Sequence, residues 1–243
     1  MSHFSVMCIG PNPEKQLAPY DENIQTEPRV RGEVSDEDKN QMIEYYKEEE
    51  NGGIDLPFDE LYELKGEDWN GNDWELRDGV WVSITTYNPD SKWDWYELGG
   101  RWGGYFKLKN GDRVDRAYKK DIDFDGMLLE KYENYSNFYD EFEENYKNGE
   151  INFNRAFFEF GVHNIGKDQE HFIPETRENY LDRCVSISTF AIIKDGKWYE
   201  KGEMSWWCVV NNEKETKDWN KEFTQLLKDI PDETLLSVYD CHI

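Results

Sequence analysis

The chain has 243 residues, a formal net charge of −25 and an aromatic content of 16%. So many aromatic side chains can fill a hydrophobic core, which excludes an intrinsically disordered chain. The excess of acids disfavours direct binding of DNA or RNA, and no apolar stretch approaches the roughly 20 residues that cross a bilayer.

The first part of the chain alternates between a buried segment and acidic, irregular sequence. Residues 3–9 predict a buried strand, and the stretch from there to about residue 34 predicts an extended connection. Ser35 is a suitable N-cap for a helix that ends at Asn51-Gly52-Gly53. We therefore expect an irregular acidic insertion with one helix at 11–78, within a single domain that covers residues 1–243.

Two-residue turn signals then dominate the sequence. Asp78-Gly79, Asn110-Gly111 and Asp195-Gly196 each separate segments rich in β-branched or aromatic residues, which predicts three hairpins. Residues 204–210 and 235–241 predict further strands. These patterns indicate an α+β fold with a mainly antiparallel sheet.

Two helices are expected to pack on this sheet. The first carries an apolar and aromatic stripe at 128–146, and the second begins near Thr216 and ends before Pro231. One antiparallel sheet is expected to bury eight residues, namely Val82, Ile84, Phe190, Ile192, Trp207, Val209, Leu236 and Val238. The stripe consists of Leu128, Tyr132, Tyr135, Tyr139, Phe142 and Tyr146.

The negative charge is concentrated in three segments. Residues 33–50, 55–78 and 121–150 carry net charges of −6, −7 and −8. One interpretation is that these acids keep an aromatic-rich protein soluble. The other is that an acidic face docks onto the basic surface of a partner protein.

The segment WDWYELGGRWGGY at 93–105 places four glycines around Arg101. Such glycines let backbone amides approach an anion, which Arg101 would clamp as a phosphate or carboxylate. Alternatively, the glycines allow tight packing beside the indoles, and a partly desolvated Arg101 pairs with a buried acid. The segment is not a phosphate-binding P-loop, because no Gly-Lys-Ser/Thr follows it.

Four residues are candidates for a ligand site: Arg101, Glu203, Asp240 and His242. Asp240 and His242 are two residues apart and share one face of a strand, and His3 lies on a strand that neighbours it if the first and last strands pair. Cys241 points to the opposite face, which argues against a thiolate–imidazole pair. The alternative is a buried salt-bridge network, and catalytic residues remain unknown because no complete motif is present.

Asp121, Asp123, Asp125 and Gly126 match the first half of a calcium-binding loop. The twelfth position, where a bidentate Glu is required, is Tyr132. Acids at the start of a helix also stabilise it without a metal. We therefore expect no metal and no cofactor, with these three aspartates as weak candidates.

The segments LAPYDEN (17–23), WDWYELGGRW (93–102), KGEMSWW (201–207) and LLSVYDCHI (235–243) together resemble a family of uncharacterised bacteriophage proteins. The resemblance implies a phage gene product that works in the cytoplasm of a bacterial host. The four cysteines without CxxC spacing and the absence of a signal-peptide pattern agree with that location.

Two functions follow as hypotheses. The first is a phage accessory protein that binds and modulates a host protein, such as a defence or nucleic-acid-handling factor, through its acidic surfaces and without catalysis. The alternative is that a site of Arg101, Glu203, Asp240 and His242 binds or hydrolyses a nucleotide-like anion. The expected partner is a host protein with a basic surface, without direct nucleic-acid or membrane binding, and the oligomeric state stays open.

Overall fold

The structure is a computed structural model that describes residues 2–68, 73–166, 171–205 and 209–243. Within these ranges the chain forms seven α-helices, which are α1 (Pro13–Leu17), α2 (Asp36–Lys47), α3 (Phe58–Lys65), α4 (Phe124–Lys147), α5 (Phe153–Phe160), α6 (Arg177–Cys184) and α7 (Thr216–Lys228). No helix in these ranges is both long and apolar enough to span a lipid bilayer.

The same ranges contain thirteen β-strands, which are β1 (His3–Ile9), β2 (Gln25–Glu33), β3 (Asp73–Arg77), β4 (Val80–Tyr87), β5 (Trp95–Leu98), β6 (Phe106–Lys107), β7 (Arg113–Val114), β8 (Arg116–Tyr118), β9 (Ala191–Lys194), β10 (Lys197–Glu200), β11 (Glu203–Met204), β12 (Val210–Asn211) and β13 (Leu235–His242). Most pairs of strands are antiparallel. The α+β class predicted from the sequence is therefore confirmed.

The chain divides into two compact units. The sheet unit joins Met1–Asp21 with Lys92–Ile243, and the acidic unit spans Glu22–Ser91. The acidic unit holds 20 acidic and 6 basic residues, a net charge of −14. Two of the three acidic segments, 33–50 and 55–78, therefore belong to one compact unit.

The acidic unit has its own sheet and its own core. Strands β2, β4 and β3 pair in that order, and α2 and α3 bury Met42, Leu61 and Tyr62. The expectation of an irregular insertion with one helix at 11–78 is thus incorrect in both its bounds and its content. The sequence does not predict β2, because this strand is polar, contains Pro28 and is largely exposed.

Local signals in the acidic unit are confirmed. Ser35 caps α2, since its Oγ accepts a hydrogen bond from the N–H of Asp38 and the Asp38 carboxylate accepts one from the N–H of Ser35. Asp78-Gly79 joins β3 to β4 with positive φ at both residues, as a two-residue hairpin turn requires.

The sheet unit is built on a sheet of order β10–β9–β1–β13–β5, and β8 also pairs with β13. β1 lies between β13, to which it is antiparallel, and β9, to which it is parallel. On one face, Met7, Ile9, Leu236 and Val238 pack beneath α7, whose Trp219, Phe223 and Leu227 are buried against them. The other face buries a second cluster, which includes Phe4, Val6, Cys8, Tyr239 and Cys241.

The predicted hairpins at Asn110-Gly111 and Asp195-Gly196 are present as the pairs β6–β7 and β9–β10. The expectation that one antiparallel sheet buries all eight residues is wrong. Ile192, Leu236 and Val238 are buried in the sheet unit, whereas Val82 and Ile84 are buried in the acidic unit. Phe190 is only partly buried and Val209 is 52% exposed. Trp207 lies outside the described residues, as does the middle of the strand predicted at 204–210.

The predicted stripe of α4 is only partly buried. Tyr139 and Phe142 pack against α5 and α6, while Met127 joins the core beneath α7. Tyr132 and Tyr146 are 50% and 38% exposed. A helix of 24 residues that serves two separate clusters does not bury one continuous line of side chains.

Candidate functional site

Pairing of β1 with β13 brings the first and last strands together. His3 lies opposite His242, and Ser5 lies opposite Asp240. Directly paired residues point to the same face of a sheet, and so do alternate residues along a strand. His3, Asp240 and His242 therefore share one face, which confirms the prediction that Asp240 and His242 point the same way.

Asp240 is a buried carboxylate with a donor at each oxygen. The residue is only 2% exposed. Its Oδ1 lies 2.9 Å from Nδ1 of His3, and its Oδ2 accepts a hydrogen bond from the backbone N–H of Arg101 at 3.0 Å. Because an unpaired buried carboxylate is costly, these two contacts explain how the interior accommodates Asp240.

His242 forms a second His–Asp pair beside the first. Its Nδ1 lies 2.6 Å from Oδ1 of Asp94, and its ring meets the His3 ring edge-on with 4.9 Å between the centroids. The Nε2 atom of His242 is buried and has no hydrogen-bond partner among the described residues. We call His3, Asp94, Asp240 and His242 the His–Asp cluster.

The two pairs of the cluster have the same chemical arrangement. In each, a carboxylate contacts Nδ1 of the imidazole, so a neutral ring that donates from Nδ1 offers Nε2 as an acceptor. Two such rings side by side can accept a proton at one Nε2 and donate a proton from the other. The His–Asp cluster thus contains the groups that general acid–base chemistry needs.

The glycine-rich segment after β5 approaches this cluster closely. A Cβ at Gly100 would overlap the Cβ of Asp240, and a Cβ at Gly99 would overlap the carboxylate of Asp115. Both glycines also have positive φ, 49° and 74°. Only glycine combines this backbone conformation with such a close approach, which accounts for the Gly-Gly pair before Arg101.

Asp115 is the second carboxylate that the glycine-rich segment surrounds. Its Oδ1 accepts hydrogen bonds from the N–H groups of Gly104 and Tyr105, at 2.5 and 3.5 Å. The backbone amides at 93–105 do approach anions, as one of the two interpretations predicts. However, these anions are Asp115 and Asp240, two side chains of the protein itself.

The side chain of Arg101 behaves differently from the expectation of a partly desolvated guanidinium. Arg101 is exposed, and its guanidinium forms no ion pair with any residue that the structure describes. The backbone of the short 3-10 turn Gly100–Trp102, and not the side chain, faces Asp240. The predicted pairing of Arg101 with a buried acid through its side chain is therefore wrong.

Glu203 lies apart from the other candidates. It belongs to β11, which pairs with β12, and its side chain is exposed and accepts a hydrogen bond from Asn212. In the described part of the chain, no contact joins Glu203 to Arg101, Asp240 or His242. The structure thus brings together the side chains of Asp240 and His242 and the backbone N–H of Arg101, and it leaves out Glu203.

The three aspartates at 121–125 serve the start of α4. Asp123 precedes the helix, and its Oδ1 accepts a hydrogen bond from the N–H of Gly126 at 3.0 Å. Asp121 ends a 3-10 turn, and Asp125 lies in the first turn of α4. Across the described ranges, no group of three or more His, Cys, Asp or Glu side chains is arranged to hold a metal ion.

Sequence reasoning misses two members of the cluster. His3 is expected near the last strand but is not a site candidate, and Asp94 is not among the predicted residues. The N–H of Asp94 donates to the carbonyl of His242 at 2.9 Å, so the β5–β13 pairing fixes its place. Its only signal in the sequence is its position between Trp93 and Trp95, which does not reveal the partner strand.

The cysteines near the cluster belong to the opposite face of the sheet. Cys8 and Cys241 are fully buried there, and burial raises the pKa of both thiols above the ordinary range. A thiol that stays protonated is a poor nucleophile. The prediction that Cys241 does not pair with the imidazole of His242 agrees with this arrangement.

No family model, curated protein or solved structure matches the chain. The resemblance to bacteriophage proteins, which is based on the four quoted segments, therefore stays a prediction.

Proposed function

We propose that the His–Asp cluster hydrolyses a phosphate ester of a nucleotide-like anion by general acid–base catalysis. The observation that supports this proposal is the pair of imidazoles with ring centroids 4.9 Å apart, each with Nδ1 at a carboxylate. A carboxylate at Nδ1 orients the ring and stabilises the imidazolium as it forms.

The proposed step uses both rings. His242, whose buried Nε2 has no partner among the described residues, accepts a proton at Nε2 from a water that enters the cluster, while the oxygen of that water bonds to phosphorus. The other imidazole, protonated, donates its Nε2 proton to the leaving oxygen as the phosphorus–oxygen bond breaks. The products are the alcohol and the phosphate, and exchange of one proton between the rings through solvent restores the site.

Arg101 supplies the positive charge for the anion. Its backbone N–H binds Asp240, so its side chain begins at the edge of the cluster, and it is exposed. A guanidinium binds phosphate oxygens through two parallel hydrogen bonds. Arg101→Ala is therefore expected to raise KM with little change in folding.

The test is an assay of the full chain against bis(4-nitrophenyl) phosphate, nucleotides and cyclic nucleotides. His3→Asn and His242→Asn each keep a donor toward the paired carboxylate but remove Nε2. Each should lower kcat about 10²–10⁴-fold, the usual contribution of an acid or base. The matched control is His163→Asn, because His163 belongs to the sheet unit but stacks on Phe157 outside the cluster.

The pH profile adds a second readout. An acid–base pair gives a bell-shaped dependence of kcat/KM on pH, and loss of one ring should remove one limb of the bell. Turnover that both asparagine variants retain, with the profile unchanged, would reject the proposal.

A second function is favoured by the distribution of charge. The acidic unit carries a net charge of −14 in a compact body of its own, which suits the binding of a host protein with a basic surface. This is the proposed role as a phage accessory protein in the host cytoplasm. Such binding requires no catalysis and is independent of the His–Asp cluster.

This second function is tested by neutralising acids in matched sets. Glu37, Glu44 and Glu63 are exposed residues of the acidic unit, and the control set in α4 is Glu133, Glu141 and Glu144. A pull-down from host lysate, at low and high salt, should lose a salt-sensitive partner only with Gln substitutions in the first set. Equal loss with both sets would show that net charge alone, and not the acidic unit, causes the retention.

A further inference from the structure

Strand β5 extends the His–Asp cluster to the edge of the sheet. In the β5–β13 pairing, Trp95 lies opposite His242 and Glu97 lies opposite Asp240. Directly paired residues share a face, so Trp95 and Glu97 lie on the same face as the two imidazoles. Tyr96, between them, points to the other face, where it packs against Trp93 and Tyr239.

Trp95 differs from the other tryptophans whose surroundings the structure describes. It is 49% exposed, whereas the other described tryptophans are buried (Trp74, Trp93 and Trp219, each at most 7% exposed) or half-buried (Trp81, Trp102 and Trp198). It also forms no ring contact with another described residue. An indole that stays half exposed beside a polar cluster presents a flat apolar surface, on which a planar ring can stack.

Glu97 is the second exposed side chain of β5 on the face of the His–Asp cluster. Its side chain is exposed and has no hydrogen-bond or ion-pair partner in the described ranges. An ionised carboxylate accepts hydrogen bonds only, and it repels a phosphate. Glu97 therefore suits a neutral group with N–H donors, such as the exocyclic amino group of a base, whereas Arg101 suits the phosphate.

We infer that Trp95 and Glu97 bind the nucleobase of the substrate, so that the substrate class is a nucleoside phosphate with an amino-bearing base. This inference rests on the proposed function, since it assigns the substrate of the same cluster. The phosphate lies toward the two imidazoles and Arg101, and the base stacks on Trp95 at the outer strand.

The test measures binding and not turnover. The probes are AMP and ribose 5-phosphate, which share the phosphate and the sugar but differ in the base, and the method is isothermal titration calorimetry. Stacking of one base on an aromatic side chain corresponds to roughly a tenfold or larger gain in affinity. The wild-type chain should therefore bind AMP at least about tenfold more tightly than ribose 5-phosphate.

Substitutions locate the source of that difference. Trp95→Ala should remove most of it, and Trp95→Phe should keep most of it. The matched control is Tyr118→Ala, because Tyr118 is 50% exposed on β8, which pairs with the other end of β13. Glu97→Ala should remove a preference for AMP over IMP, whose base lacks the amino group.

The outcomes separate this inference from the proposed hydrolysis. Binding of AMP through Trp95 without hydrolysis of any ester would reject the proposed function and retain the base site. Hydrolysis that depends on His3 and His242, with equal affinity for AMP and ribose 5-phosphate, would retain the proposed function and reject the base site. Failure to bind either probe, or a difference that Trp95→Ala leaves unchanged, also overturns the base site.

Discussion

One face of the β1–β13 pair carries two different kinds of residue. At one end Met7, Ile9, Leu236 and Val238 are packed beneath α7. At the other end the same two strands carry His3, Asp240 and His242 of the His–Asp cluster, and the buried carboxylate of Asp240 is held by one contact at each oxygen.

The comparison shows two ways of stabilising one surface. The apolar end depends on buried area, which is non-directional and tolerates small shifts of side chains. The polar end depends on individual hydrogen bonds, each of which fails if one partner is removed. Buried polar groups that make folding this sensitive to single substitutions are therefore candidates for function.

The largest effect is expected at the apolar end. Phe223→Ala deletes a fully buried ring that packs against Trp219. Such a truncation costs about 3–5 kcal/mol in the free energy of unfolding. Urea denaturation measures the loss, with Phe138→Ala as the control because Phe138 is 48% exposed. A loss below that of the control would show that α7 is not anchored at this end.

At the polar end the critical residue is Asp240. Asp240→Ala leaves Nδ1 of His3 and the N–H of Arg101 without their acceptor, and each buried unpaired group costs about 1–3 kcal/mol. A double-mutant cycle with His3→Ala should give a coupling energy of about 1.5–3 kcal/mol, since the bond involves a charged group. Strict additivity of the two substitutions would mean that the pair contributes nothing to folding.

A smaller loss in the free energy of unfolding is expected at Gly100, where a substitution tests steric overlap and backbone conformation and not the loss of a polar contact. Gly100→Ala combines a positive φ with overlap of its Cβ and Asp240. Strain of this kind costs about 1–3 kcal/mol. Gly111→Ala is the matched control, because Gly111 has φ of 93° but no heavy atom lies within 4 Å of the position that its Cβ would occupy. Equal losses in both variants would assign the whole effect to backbone conformation.

Much of this architecture follows from local sequence, because local signals need no partner. The Asp-Gly and Asn-Gly turns, the strand at 3–9 and the Ser35 cap depend on residues within a few positions of each other. β2 cannot be predicted from its own residues, because they are polar and exposed and show no strand pattern. Its pairing with β4 makes this segment a strand.

The candidate site is predictable only where it depends on alternation along one strand. Asp240 and His242 share a face for that reason. The partners His3 and Asp94 depend on strand pairings between residues more than 100 positions apart, and no local pattern encodes these. The glycine motif correctly indicates an anion, but the identity of that anion as Asp115 and Asp240 is a long-range property.

The smallest effect, none at all, is expected from calcium. Asp123 accepts a hydrogen bond from the N–H of Gly126, so it acts as an N-cap in the same way that Asp240 accepts one from Arg101. Millimolar Ca²⁺ and excess EDTA should therefore give the same Tm. Asp123→Ala should cost about 1 kcal/mol through loss of the cap, and that cost should be equal with and without Ca²⁺. A tight calcium site would instead raise Tm in the wild-type chain and enlarge the cost of Asp123→Ala when Ca²⁺ is present. That result would show that the carboxylates before α4 act as calcium ligands and not as helix caps. Their role would then differ from that of Asp240 and Asp115, which accept hydrogen bonds from backbone N–H groups.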